Sequence, residues 1–208
     1  VFRPYAAAPG SAGPALPTDP TAYAGIVVLG GSMGAGDDTA CPWLPGVRAL
    51  IRDAATAQVP TLGICLGHQL AAVALGGRIA PNPRGRSIGL LPVQWTADAI
   101  TDALTGPLAA TEGQQPGPVG VHWNDDIVTD VPADAVVLAR AATGEVQAAR
   151  FAPSVWGVQW HPEVGPGIAA DWMHEDDGAP QLRGVDVGAH VAAIAAAEPA
   201  LRHSWGAL

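Results

Sequence analysis

The chain has 208 residues, of which 49% are hydrophobic, and its formal net charge is −9. All ten basic residues are arginines without a cluster, which argues against nucleic-acid binding, and no apolar run approaches the ~20 residues of a membrane span. The absence of lysine excludes chemistry that needs a side-chain amine, such as Schiff-base formation.

The length favours one domain over residues 1–208 that folds without a disulfide or a metal ion. Its two cysteines, Cys41 and Cys65, do not suggest a disulfide scaffold, and a single embedded cysteine is better interpreted as a buried or reactive thiol. No signal-peptide pattern opens the sequence, so a cytoplasmic location is expected. We expect no cofactor and no nucleic-acid or membrane partner.

Short β-branched runs alternate with helical repeats of apolar residues in the first part of the chain. This alternation predicts an α/β fold with a mostly parallel sheet. The predicted elements are a strand end and loop over 1–24, a strand over 25–29, a helix over 44–58, a strand over 59–64 and, directly after Cys65, a helix over 69–75.

The second part of the chain is richer in short strands, which predicts an antiparallel extension beside the parallel core. The predicted fold is therefore a three-layer α/β sandwich with a mostly parallel central sheet and a small antiparallel extension. Its later elements are strands over 90–95, 119–123, 136–139, 146–151 and 155–160, and helices over 168–174 and 187–197.

The segment Gly63-Ile64-Cys65-Leu66-Gly67 is the sulfur counterpart of the G-x-S-x-G nucleophile elbow. In such an elbow a strained turn from strand to helix presents the nucleophile. The helix dipole and the free amides of the first turn favour a thiolate. A buried structural cysteine is the alternative interpretation of the pentapeptide alone.

An oxyanion hole needs two N–H donors, and the backbone amide of Leu66 is a candidate for one of them. The second could come from the glycine-rich loop over 30–36, which follows the first predicted strand. A phosphate cradle is the other interpretation of this loop, but no lysine follows it.

The segment His161-Pro162-Glu163 follows the last predicted strand. Side chains two positions apart in an extended segment point to the same side, so Glu163 can hold one imidazole nitrogen and leave the other for Cys65. A solvated surface turn is the alternative if this segment is taken alone. The two motifs together favour a cysteine–histidine hydrolytic site.

The remaining histidines have no metal-like spacing with cysteines or carboxylates, and no metal site is expected. They are His68, His122, His174, His190 and His203. We interpret them as structural or surface residues, with a place beside the active site as the alternative for His122. The acidic segment over 174–178 is expected to be a solvated loop, with metal binding as its minor alternative.

Three segments together resemble the signatures of class I glutamine amidotransferases, and the likeness is greatest to free-standing proteins similar to the glutaminase domain of GMP synthase. The segments are 30–33, 63–69 and 157–163. The resemblance implies a flavodoxin-like fold and a catalytic triad of Cys65, His161 and Glu163 that forms a γ-glutamyl thioester. It also implies that Gln69 contacts glutamine and that Gly31 and Leu66 supply the oxyanion-hole amides.

Two departures from the family pattern bear on function. Relatives begin with a further strand and helix before the segment over 1–5, which are expected to be absent here, and many have an acidic residue where Ser87 stands. The expected reaction is hydrolysis of glutamine to glutamate and ammonia, with the ammonia passing to a separate synthase chain or the enzyme acting alone. The alternatives are a hydrolase of γ-glutamyl amides with the same triad and a catalytically silent binding subunit.

Overall fold

A computed structural model describes residues 16–110, 118–175 and 184–206, so the strand end predicted at the start of the chain lies outside the described residues. The strands are β1 (Ile26–Val28), β2 (Thr61–Ile64), β3 (Arg78–Pro81), β4 (Ser87–Pro92), β5 (Gln94–Trp95), β6 (Val119–Asn124), β7 (Asp126–Asp130), β8 (Val136–Arg140), β9 (Val146–Ala152) and β10 (Val155–Val158). The helices are α1 (Leu44–Thr56), α2 (Leu66–Ala74), α3 (Gly106–Ala109), α4 (Pro166–Glu175) and α5 (Val187–Trp205).

Contacts between residues divide the chain into two compact units. The first consists of Val1–Ala80, Val128–Val136 and Ala149–Val158, and the second of Pro81–Ile127, Val137–Ala148 and Gln159–Leu208. The interpretation of the chain as one domain stays a prediction.

The first unit contains the parallel sheet. Strands β1, β2 and β10 are parallel neighbours in that order, and Leu62 of β2 is paired with Val27 on one side and Trp156 on the other. Helix α2 packs on all three strands and α1 packs on α2. Five apolar side chains of α1 at helical spacing are buried, namely Leu44, Val47, Leu50, Ile51 and Ala54. This arrangement confirms the predicted α/β class with a mostly parallel sheet.

The second unit contains antiparallel pairs. Strand β4 pairs with β6, with Gly89 opposite His122, and β5 pairs with β8, with Trp95 opposite Ala139. Helix α5 packs on β4, on β6 and on α4. These pairs confirm the predicted antiparallel extension.

Three of the tryptophans form a cluster within the second unit. The ring centroids of Trp160 and Trp205 are 4.8 Å apart, and Trp95 lies 5.9 Å from Trp160 and 6.0 Å from Trp205. The Trp205 indole N–H donates to the carbonyl of Val119 at 2.8 Å. Because Trp205 is in α5 and Val119 is in β6, this hydrogen bond connects α5 to the antiparallel pair of β4 and β6.

Several element boundaries differ from the prediction. The strand predicted over 90–95 is two strands, because Pro92 has no N–H to continue a ladder and the amide of Val93 instead donates to the carbonyl of Pro118 at 3.0 Å. Helix α5 continues through Pro199 to Trp205, since burial of Leu201 and Trp205 stabilises its last turns. The prediction of a loop from residue 174 is wrong for His174 and Glu175, which end α4, and the rest of that acidic segment lies outside the described residues.

Strands β3 and β7 pair with each other and were not predicted. Among the helices of the described residues, none combines the length and the apolar character needed to cross a lipid bilayer.

Candidate active site

Cys65 lies at the turn between β2 and α2 in the first unit, as the elbow motif predicts. Its φ is 51° and its ψ is −104°, so a residue with a side chain occupies a conformation that usually requires glycine. The backbone N–H of Cys65 donates to the carbonyl of Val158 at 2.9 Å, which ties the turn to the neighbouring strand. Such backbone strain costs about 1–3 kcal/mol and persists where the surrounding structure imposes it.

The two glycines of the elbow explain how the turn fits between its neighbours. A Cβ atom on Gly67 would collide with the carbonyl group of Val28, and one on Gly63 would collide with the backbone of Gly67. Both obstacles are backbone atoms, which cannot rotate away as a flexible side chain can. Only glycine at both positions allows α2 to begin this close to β1 and β2.

The other residues predicted to bind substrate or the oxyanion also lie in the first unit. Leu66 is the first residue of α2, where backbone N–H groups have no acceptor within the helix. A Cβ on Gly31 would lie 3.0 Å from a methyl carbon of Leu66, so the glycine-rich loop comes directly against the start of the helix. Gln69 is buried one turn further on, and its N–H donates to the carbonyl of Cys65 at 3.1 Å. The structure thus brings Gly31, Leu66 and Gln69 to the elbow.

His68 lies on α2 and is completely buried. Burial lowers its pKa from 6.5 to about 4, with a smaller opposing effect of a hydrogen bond to the backbone of Gly157. Its ring packs on Phe151 with the centroids 5.1 Å apart. The interpretation of His68 as a structural residue therefore fits a neutral imidazole inside the first unit.

His161 and Glu163 lie in the second unit, immediately after β10. The Nδ1 atom of His161 is 2.8 Å from Oε1 of Glu163, the hydrogen bond expected from their spacing. The imidazole is 4% exposed, and the Glu163 side chain is 35% exposed. The ring also meets Trp172 of α4 edge-on, with the centroids 4.7 Å apart. These contacts hold Nδ1 against the carboxylate and fix the orientation of the ring.

His122 is fully buried in β6, in the second unit. Its Nδ1 lies 3.0 Å from the carbonyl oxygen of Gly120, and its Nε2 lies 2.6 Å from Oε1 of Gln147. Burial is the main cause that lowers the pKa of His122; the charge of His161 lowers it further, and the hydrogen bond to Gly120 opposes the shift.

A cavity of about 300 Å³ also lies in the second unit. Its lining includes Ser87 and Arg86 at the start of β4, and Gln147 of β9. Arg86 donates two hydrogen bonds to the carboxylate of Asp125, at 2.9 and 2.6 Å, and its guanidinium lies over the Trp123 ring.

The remaining histidines lie on α4 and α5, and the second cysteine, Cys41, precedes α1. His174 ends α4, His190 of α5 packs over the backbone of Gly89, and His203 is an exposed residue of α5. Cys41 and Cys65 are both free thiols. Within 16–110, 118–175 and 184–206, no group of three or more histidine, cysteine or acidic side chains could hold a metal ion.

Sequence reasoning missed Gln147 and Trp172. Gln147 is a polar residue in a strand whose first four residues are all buried, and this departure from an apolar run could have drawn attention to it. Trp172 had no distinguishing signal, because a tryptophan on an amphipathic helix is most often a core residue.

Residues 14–177 match the family model described as glutamine amidotransferase class-I. The chain therefore belongs to the class I glutamine amidotransferases. Among solved structures, it is similar to a glutamine amidotransferase from Thermotoga maritima (TM-score 0.77, 23% identity, covering 96% of this chain and 81% of that one). It is also similar to one from Methylobacillus flagellatus (TM-score 0.68, 27% identity, 93% and 78% covered).

Among curated proteins, the chain is 40% identical over 111 residues to one subunit of the glutamine-hydrolysing GMP synthase of Saccharolobus solfataricus, covering 51% of this chain and 52% of that protein. It is 35% identical over 158 residues to a glutamine amidotransferase-like protein of Salmonella typhimurium, covering 73% and 62%. The chain thus spans about half to two thirds of the length of these relatives.

Proposed function

We propose that this chain hydrolyses the side-chain amide of glutamine to glutamate and ammonia, with Cys65 as nucleophile. The observation that carries the proposal is the conformation of Cys65, a non-glycine residue held at φ 51° at the start of a helix. Strain of this kind is concentrated at functional sites, and a structural cysteine has no need of it. Membership of the family and the 2.8 Å contact of His161 with Glu163 support the same reaction.

In the proposed first step, the sulfur of Cys65 attacks the carboxamide carbon of glutamine and its proton passes to Nε2 of His161. The C–N bond then breaks, and the imidazolium gives that proton to the departing amide nitrogen, which leaves as ammonia. The glutamyl group remains on the sulfur as a thioester. Glu163 keeps Nδ1 protonated and stabilises the imidazolium that forms between the two proton transfers.

In the proposed second step, His161 takes a proton from water and the resulting hydroxide attacks the thioester carbon. The C–S bond breaks and the sulfur regains a proton from the imidazolium. Glutamate leaves, and the sum of both steps is glutamine plus water giving glutamate plus ammonia. In each step the negative oxygen of the tetrahedral intermediate would accept hydrogen bonds from the N–H groups of Leu66 and Gly31, where one such donor is worth about 3 kcal/mol.

The proposal extends to a partner because the relative in Saccharolobus solfataricus belongs to a synthase made of separate subunits. We propose that ammonia released at Cys65 passes to a separate synthase chain that activates the acceptor. Faster glutamate release on addition of such a chain would support this pairing.

A second candidate function keeps the triad and changes the substrate to a γ-glutamyl amide of a larger amine. The observation that favours it is Ser87, which stands at the start of β4 opposite Asn124 where many relatives have an acidic residue. A serine hydroxyl cannot neutralise the α-ammonium group of free glutamine as a carboxylate would.

The decisive experiment compares Cys65→Ala with Cys41→Ala in an assay of glutamate release from glutamine. Cys41 is the matched control because it is the other free thiol of the chain. Loss of release in Cys65→Ala alone supports the proposal, whereas release that survives in Cys65→Ala overturns it. Covalent labelling of the wild-type chain by an electrophilic glutamine analogue separates an active thiol from a catalytically silent chain, which would not react.

A further inference from the structure

The segment from Gln159 to His161 is held from two sides within the second unit. On one side, the N–H of His161 donates to the carbonyl of Val121 in β6 at 2.8 Å. On the other side, the N–H of Gln159 donates to the carbonyl of Gln147 in β9 at 2.7 Å. The backbone that carries the imidazole of His161 therefore lies between two strands.

The side chains of His122 and Gln147 connect those same two strands. His122 directly follows Val121, and its Nε2 lies 2.6 Å from the side-chain amide of Gln147. Both residues are buried: His122 is completely buried and Gln147 is 3% exposed. The contact thus joins β6 to β9 beside the segment that both strands hold.

The direction of this hydrogen bond follows from the surroundings of His122. Its Nδ1 lies 3.0 Å from the carbonyl oxygen of Gly120, which can only accept, so Nδ1 carries a proton. Burial lowers the pKa of His122, so the ring is neutral and its Nε2 is an acceptor. A half-turn of the Gln147 amide, which exchanges its oxygen and nitrogen, supplies the N–H that a neutral ring needs.

We propose that the hydrogen bond between Gln147 and His122 positions His161 for proton transfer, by joining the two strands that hold the Gln159–His161 segment. This inference rests on the proposed function of His161 as the general base. His122 and Gln147 are positioning residues: they act through the backbone of the segment and exchange no proton with the substrate. Misplacement of a reacting group by about 1 Å can reduce a rate by about 100-fold, which is the scale expected if the connection is broken.

The variants that test this are Gln147→Met, which keeps the length of the side chain but cannot donate, and His122→Gln, which keeps a polar group that can reach Gln147. Thr105→Val is the matched control, because Thr105 is a fully buried residue of the same unit whose hydroxyl donates to the carbonyl of Ala99 at 3.0 Å. Each variant is first checked for folding by circular dichroism. We expect kcat for glutamine hydrolysis to fall by about 10- to 100-fold in Gln147→Met, with little change in KM. The kcat of His122→Gln should stay much closer to that of wild type. The kcat of Thr105→Val should stay within about twofold of wild type.

A second measurement does not depend on activity. Nitrogen-15 spectra of the histidine rings report the tautomer of each imidazole and the hydrogen bond of His161 to Glu163. We expect the His161 ring signals to shift or broaden in Gln147→Met and to match those of wild type in Thr105→Val. If the wild-type chain hydrolyses no glutamine, the proposed function fails and the spectra still decide the role of His122 and Gln147. Unchanged His161 signals in Gln147→Met, or a loss of kcat as large in Thr105→Val, would overturn the inference.

Discussion

Oε1 of Glu163 lies 2.8 Å from Nδ1 of His161, although the Glu163 side chain is 35% exposed and the imidazole is 4% exposed. The Glu163 side chain is therefore partly in contact with solvent while it binds a nearly buried ring. Glu163 keeps part of its hydration, while the ring is shielded from water. The pair thus joins a partly hydrated carboxylate to an imidazole of fixed orientation.

The first prediction concerns the charge of this carboxylate. Replacing Glu163 with Gln keeps an oxygen that can accept from Nδ1 but removes the charge that stabilises the imidazolium. We expect kcat for glutamine hydrolysis to fall by about 100-fold or more, with a smaller change in KM, in a steady-state assay of ammonia release. Glu198→Gln is the control, since Glu198 pairs with Arg202 on the exposed surface of α5, where an ion pair contributes little. Equal activity in the two variants would remove Glu163 from the mechanism.

The second prediction concerns the glycine of the elbow that faces β1. Gly67→Ala places a methyl group against the backbone carbonyl of Val28, and the strand or the helix must move. We expect the free energy of unfolding in urea to fall by about 1–3 kcal/mol or more, together with loss of activity. Gly36→Ala is the matched control, because a Cβ at Gly36 meets no atom within 4 Å. The steric argument fails if both variants are as stable as the wild type.

The third prediction concerns acid stability and His68. Its pKa is about 4 in the folded chain and near 6.5 when exposed, so the unfolded state binds more protons between these values. The contribution of a neutral His68 is therefore fully present above pH 6.5 and is lost as the pH falls to about 4, a difference of about 3 kcal/mol. The free energy of unfolding in urea, measured across this pH range, should therefore change less with pH for His68→Gln than for wild type.

The control for this third prediction is His203→Gln, since His203 is exposed on α5. Its unfolding should follow the wild-type pH dependence. Parallel curves for His68→Gln and the wild type would mean that the buried ring does not resist protonation.

The fourth prediction concerns the amide substrate. If free glutamine is the substrate, kcat/KM for glutamine should exceed that for γ-glutamyl amides of larger amines, measured as glutamate release from a panel of both. Ser87→Glu should then change kcat/KM for glutamine more than kcat, because residue 87 is proposed to affect binding of the α-ammonium group and not the reacting carbon. A strong preference for the larger amides would favour the second candidate function instead.

The fold class and the family could be predicted from the sequence because their signals are local. The glycines at 63 and 67 fit a tight strand-to-helix turn, and the spacing of apolar residues predicted the helix α1. The roles of Cys65, His161 and Glu163 stay predictions that the experiments above test. The role of Gln147 could not be predicted, because its contact with His122 joins residues 25 positions apart whose pairing no local pattern encodes. The break between β4 and β5 depends equally on a distant partner, the carbonyl of Pro118.

The three clustered indoles of Trp95, Trp160 and Trp205 give the chain an intrinsic spectroscopic probe. Aromatic rings this close couple their electronic transitions, so the folded protein should show a distinct near-ultraviolet circular dichroism signal that vanishes once fixed tertiary packing is lost. Because Trp205 belongs to α5, detachment of that helix would remove two of the three ring contacts and weaken the signal, while the contact between Trp95 and Trp160 would remain. Unbinding of one helix could thus be followed without attaching any dye.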